Sequence, residues 1–134
     1  MTTIAQVRQG LADAITAGTG LRGEAIVHDS INAPCFEVVR KEMDPRMIFS
    51  GAKAQYQFTV RVFQGRTSVI AAQEAIDDLC EINGDGSLLQ AVETSSNWDI
   101  TIDYAEVTRI GETGGAERGG IEYLMVEFDV EVVW

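Results

Sequence analysis

Residues 55–64 read Gln-Tyr-Gln-Phe-Thr-Val-Arg-Val-Phe-Gln. In an extended chain Tyr56, Phe58, Val60 and Val62 point one way, and Gln55, Gln57, Thr59 and Arg61 the other. That period of two predicts a strand with one buried and one wet face. The end of the sequence repeats it: Leu124, Val126, Phe128, Val130, Val132 and Trp134 alternate with Tyr123, Met125, Glu127, Asp129, Glu131 and Val133. A third run sets Trp98, Ile100, Ile102 and Tyr104 against Asp99, Thr101, Asp103 and Ala105. Two shorter strands are expected, a good one at Cys35–Arg40 and a weaker one at Glu24–His28. Strict alternation leaves one sheet face open to water, which is a property of antiparallel sheets.

Helices supply the cover for the apolar face. Ile4, Val7, Leu11, Ala14 and Ile15 share one side of a helix expected over Thr3–Ala17, with Thr2 or Thr3 as cap and Gly18 and Gly20 as stops. Val69, Ala72, Ile76, Leu79 and Cys80 form the stripe of a second helix, from Ser68 to about Ile82. A short helical turn follows at Ser87–Glu93. The order helix, strands, helix, strands predicts an α+β fold: a mostly antiparallel twisted sheet of four to five strands with two main helices packed on one face. The 134 residues make one domain of ordinary size. Extended loops are expected at about 41–54, which is apolar but irregular, and at 111–120, half of which is glycine.

Twenty-one acids against ten bases give a net charge of −11. A protein that grips DNA or an anionic membrane needs a basic footprint, so both are disfavoured. No apolar run approaches the roughly 20 residues that span a bilayer, and no leader segment is expected. Cys35 and Cys80 form no metal spacing, and His28 is the one histidine.

The patterns that resemble chemistry each have a plainer account. Gly18-Thr19-Gly20-Leu21-Arg22-Gly23 spells G-x-G-x-x-G, but dinucleotide binding needs a strand before it and a helix after it, and here the order is reversed. His28-Asp29-Ser30 holds triad residue types, yet Asp29 points away from its neighbours in an extended chain. Asp77, Asp78, Glu81 and Asp85 lack calcium-loop spacing. Asp99, Asp103 and Tyr104 are the one polar cluster worth testing as a small-ligand site. No catalytic residue, cofactor or metal is expected.

Apolar groups stand where water is expected. Met43, Met47 and Phe49 lie on irregular chain, and Phe63, Tyr123 and Met125 on outward strand positions. With Arg46, Arg66, Arg118, Gly114 and Gly115 beside them, these are the expected partner-contact residues. Glu127, Asp129 and Glu131 form an acidic stripe that, repeated round a ring, would line a negative hole.

The amphipathic start Ile4–Ile15, the strand Tyr56–Val62, the helix Ser68–Glu81 and the ending Tyr123–Trp134 together resemble a bacteriophage tail terminator of the long, non-contractile, siphophage type. The resemblance implies a structural virion protein without enzymatic activity. It would be a subunit of a hexameric ring that caps the tail tube, stops its polymerisation and joins it to the head. Its partners would be copies of itself, the tail-tube protein and a head-closure or neck protein, with DNA passing through unbound and no membrane involved. It would be assembled in host cytoplasm and end in the virion tail. A head-closure or neck connector and a tube subunit are the alternatives within the same particle; a small ligand-binding or enzymatic domain is the alternative outside it.

Overall fold

The computed structural model describes residues 3–24, 34–41, 55–65, 69–82, 84, 86–100 and 102–133. Its elements in chain order are α1 (Ile4–Thr19), β1 (Arg22–Glu24), β2 (Cys35–Arg40), β3 (Gln55–Gly65), α2 (Val69–Cys80), α3 (Leu88–Glu93), a 3-10 turn (Ser95–Asn97), β4 (Tyr104–Ile110), β5 (Gly114–Arg118) and β6 (Ile121–Val133). The fold class is α+β, as the alternation predicts. The strands form one open sheet in the order β1-β2-β3-β6-β4, with β5 also paired to β6. Among the described residues every pairing is antiparallel except β1 with β2.

The long central pair carries the sheet. β3 lies against β6 from Gln55↔Val133 to Gly65↔Tyr123 without a break in register. This register puts Phe58, Val60 and Val62 beside Val130, Phe128 and Val126, all buried on one face. Phe36 and Val38 of β2 extend that face. Over it pack Val7, Leu11 and Ile15 of α1, Ala72, Ile76 and Leu79 of α2, and Leu88 and Val92 of α3. Burying each large aliphatic side chain contributes about 1.5–3 kcal/mol, so these helices are held by their stripes more than by propensity.

The helix ends follow their sequence. Thr3 caps α1: its Oγ1 accepts the Gln6 N–H at 3.2 Å, and Gln6 Oε1 accepts the Thr3 N–H at 2.8 Å, a reciprocal capping box. Gly20, at φ 76°, closes it by donating to the Thr16 carbonyl. Ser87 caps α3 through the Gln90 N–H at 3.1 Å. It also donates to the Glu81 carbonyl, which joins α3 to the end of α2.

Two expectations change. The strand predicted over 98–105 begins only at Tyr104 and runs on to Ile110. Trp98 is drawn out of it: its indole N–H donates to the Val92 carbonyl at 2.9 Å, and its ring packs under Gly10. Trp98 and Ile100 therefore tuck beneath α1, and the apolar residues there record core burial by a bent chain. The second change concerns 111–120. Residues 114–118 are strand β5, paired to β6, and the strand count rises to six. Gly119 and Gly120, at φ 59° and 81°, are a two-residue hairpin turn flanked by Arg118↔Ile121. Positive φ at both turn positions is what a tight type I′ hairpin requires, so these two glycines shape a turn where an extended loop was expected. The expected loop at 41–54 and the outer part of the Glu24–His28 strand lie outside the described residues, apart from Lys41 and Glu24.

Candidate functional site

The sheet face away from the helices carries the chemistry, and the register sorts it into rows. Glu37, Arg61 and Glu127 stand abreast on β2, β3 and β6. Arg61 Nη1 lies 3.3 Å from the Glu37 carboxylate, and Arg61 Nε 3.7 Å from that of Glu127. In the next row Thr59, Asp129 and Arg109 lie abreast on β3, β6 and β4. Asp129 accepts from Thr59 Oγ1 at 3.3 Å and faces Lys41 Nζ at 3.3 Å and Arg109 Nη1 at 3.6 Å. The third row brings Glu106 opposite Glu131, with Gln57 beyond.

At the hairpin end this face turns apolar. Cys35, Phe63 and Tyr123 are buried together, with Ala116 and Met125 against them. Phe63 and Tyr123 meet edge to face, centroids 6.3 Å apart. The Arg118 guanidinium sits 5.4 Å above the Phe63 ring and donates to Glu37 Oε1 at 3.0 Å. The Glu37 side chain is only 3% exposed. Its second oxygen and Arg118 Nε have no hydrogen-bond partner among the described residues. Each buried orphan of this kind costs about 1–3 kcal/mol, which the two guanidiniums on the other oxygen offset.

This arrangement holds several of the expected contact residues. Phe63 and Tyr123 are buried inside the chain's own small cluster, and Met125 is half-buried against it. They packed inward because the Gly119-Gly120 turn folds β5 back along β6 and brings Ala116 and Arg118 over them. Arg118 is engaged by Glu37. Gly114 and Gly115 are exposed on β5. Met43, Arg46, Met47, Phe49 and Arg66 lie outside the described residues. The acidic stripe is also altered: Glu127, Asp129 and Glu131 do share the helix-free face, but Glu127 and Asp129 face cations, so the stripe is a mixed-charge lattice.

Glu37 is the residue that sequence reasoning passed over. The signal was present: alternation in β2 puts Cys35, Glu37 and Val39 on one face, and Arg61 is the one cation among the polar positions of Gln55–Thr59–Arg61. Nothing local revealed that Arg118 would reach it.

The other expected patterns fall into structural roles. In Gly18-x-Gly20-x-x-Gly23, a Cβ on Gly18 would lie 2.2 Å from the Ala91 Cβ, Gly20 is the left-handed helix stop, and a Cβ on Gly23 would meet the Phe36 ring at 1.9 Å. Packing and capping thus account for all three. Asp99, Asp103 and Tyr104 are exposed along a bend and a strand start. The Tyr104 hydroxyl is pushed above its ordinary value, first by desolvation and then by Glu131, Glu106 and Asp103. Among the described residues no group of three or more His, Cys, Asp or Glu could hold a metal ion. A polar cleft of about 300 Å³ lies between the end of α1 and α3, lined by Gly18, Ser87, Gln90 and Asn97; Ser87 is spent on the two hydrogen bonds above.

No protein-family model and no curated protein matches the chain. No helix among the described residues is long and apolar enough to cross a membrane.

Proposed function

We propose that this chain is a structural virion protein, a tail terminator whose copies close into a ring on the end of the tail tube and present their other side to a head-closure or neck protein. One observation carries the reading: the sheet is open, and among the described residues no strand pairs the outer sides of β1 and β4. A free strand edge presents a row of backbone donors and acceptors that another chain can complete. A ring needs two unlike surfaces of one subunit to meet with a rotation that closes, and two different free edges on one sheet meet that need. The core beneath is filled by side chains from all three helices, so its interior serves packing.

The hole need not rest on a bare acidic stripe. Glu127 and Asp129 face Arg61, Lys41 and Arg109, and it is the net charge of −11 that repels phosphate and lets DNA pass without being held.

The test mixes purified protein with purified tail tubes and images them by electron microscopy. Rings seated on tube ends, with tube growth stopped, support the reading. Long open tubes from the protein alone would make it a tube subunit instead. Protein that neither binds tubes nor self-associates in their presence overturns the proposal.

A further inference from the structure

We propose that, away from any tube, β4 pairs antiparallel with β4 of a second copy, about a twofold axis between Val107 and Thr108. β4 is the longer of the two strands that end the strand order, seven residues against three in β1, and among the described residues no strand pairs its outer side. Its surface is unusually ready for a neighbour. Tyr104 and Ile110 are exposed at its two ends, and the Arg109 side chain is 66% exposed with one 3.6 Å contact to Asp129.

The register shift between Val107 and Arg109 decides the geometry. Thr108 is an extra residue, so Glu106 faces Glu131 while Arg109 faces Asp129, two positions further along β6. Glu106 and Arg109 therefore share the helix-free face although three apart in sequence. A twofold between Val107 and Thr108 then sets Glu106 opposite Arg109 of the second copy, and Arg109 opposite its Glu106. Ala105 meets Ile110 and Tyr104 meets Gly111, each pair on one common face. The pattern is self-complementary, as an isologous contact demands. It also sets a cation beside Glu106, which in its own sheet stands opposite a like charge, a destabilising arrangement. A bulge on an edge ordinarily discourages pairing by twisting it; here Thr108 lies beside the dyad and leaves the flanking pairs in step.

The pair does not depend on the terminator reading. If that reading holds, an edge engaged in the twofold pair is withheld from a ring neighbour, and free subunits stay out of untemplated rings.

Analytical ultracentrifugation of the full chain, without tubes, tests the pair. The wild type is expected to dimerise with concentration. Glu106→Arg is attractive to Glu131 within the fold but sets cation against cation across the dyad, and should weaken the dimer about tenfold or more. Arg109→Glu should do the same with two carboxylates. Mixing the two variants restores both opposite-charge contacts, and a mixed dimer should form where neither variant pairs alone. Should Arg109→Glu not fold, Glu106→Arg alone decides. A wild type that stays monomeric at millimolar concentration, a Glu106→Arg dimer as tight as wild type, or two folded variants that do not pair on mixing overturns the proposal. Ring formation on tubes is read separately, so either idea can fail without the other.

Discussion

Arg118 Nη2 lies 3.0 Å from Glu37 Oε1, although the two residues are 81 positions apart. The contact reaches from β5 across β6 and β3 to β2, and fastens the hairpin end to the opposite half of the sheet. It also closes a face that no helix covers: Glu37 is buried beneath the guanidiniums and the Phe63–Tyr123 cluster. Arg118→Met keeps the apolar stem over Phe63 but removes the charge. Arg61 still faces Glu37, so the expected loss is about 1–3 kcal/mol, less than for stripping a buried pair completely. Urea unfolding of Arg118→Met, Glu37→Gln and the double variant measures the coupling directly. Losses that simply add would mean that the two side chains do not act as a unit.

The hairpin turn makes a sharper prediction. Gly120 has φ 81° and open space where a Cβ would stand, so any penalty on substitution is a backbone penalty. Gly120→Ala should cost about 1 kcal/mol, and Gly120→Asn less, because asparagine tolerates the left-handed region. Gly115, also with open space around it but without positive φ, is the control. Gly115→Ala should leave the unfolding midpoint nearly unchanged. Equal effects at the two positions would remove the turn argument.

How far the sequence could be read follows from which interactions are local. Alternation in Gln55–Gln64 and Tyr123–Val133 foretold the two strands that dominate the sheet, because a period of two has one structural cause. The α1 stripe and its Thr3 cap were equally legible. Trp98–Tyr104 misled because a tryptophan that finds a carbonyl partner in Val92 packs against helices as well as in a sheet. The Gly-rich segment misled because composition does not say which glycines turn and which pair. Pairing partners on the helix-free face needed the register, and the Thr108 bulge, invisible in sequence, puts Arg109 level with Asp129.

The G-x-G-x-x-G glycines should behave as packing residues. Gly23→Ala would drive a methyl into the Phe36 ring, which is buried under α1 and cannot swing clear. Overpacking of this kind costs about 1–3 kcal/mol. Gly18→Ala meets the Ala91 backbone as well as its side chain, so the α1–α3 contact must open. Both variants should lower the melting temperature, and neither should alter any response to a nucleotide in a thermal-shift assay. A wild-type protein stabilised by a dinucleotide, with that shift lost in Gly18→Ala, would restore the phosphate-loop reading.

Cys80 tests the electrostatics of the α2 end. Partial burial raises its thiol above the ordinary value, and Asp77 and Glu81 raise it further. The reactive species is the thiolate, so at mildly alkaline pH the folded protein should react with a disulfide reagent more slowly than the same chain in denaturant. A Cys35→Ala background isolates this thiol. Asp77→Asn with Glu81→Gln should speed the reaction only in part, because burial is the larger cause. Linkage gives the sign for stability: a thiol held protonated in the fold contributes fully below the unfolded pKa, and that contribution fades as pH rises from there through the folded value. Unfolding midpoints measured from neutral to strongly alkaline pH should therefore fall less in Cys80→Ala than in the Cys80 parent. Folded and unfolded chains reacting at one rate across that range would place the thiolate in open water, and the burial of Cys80 against the core would have to be abandoned.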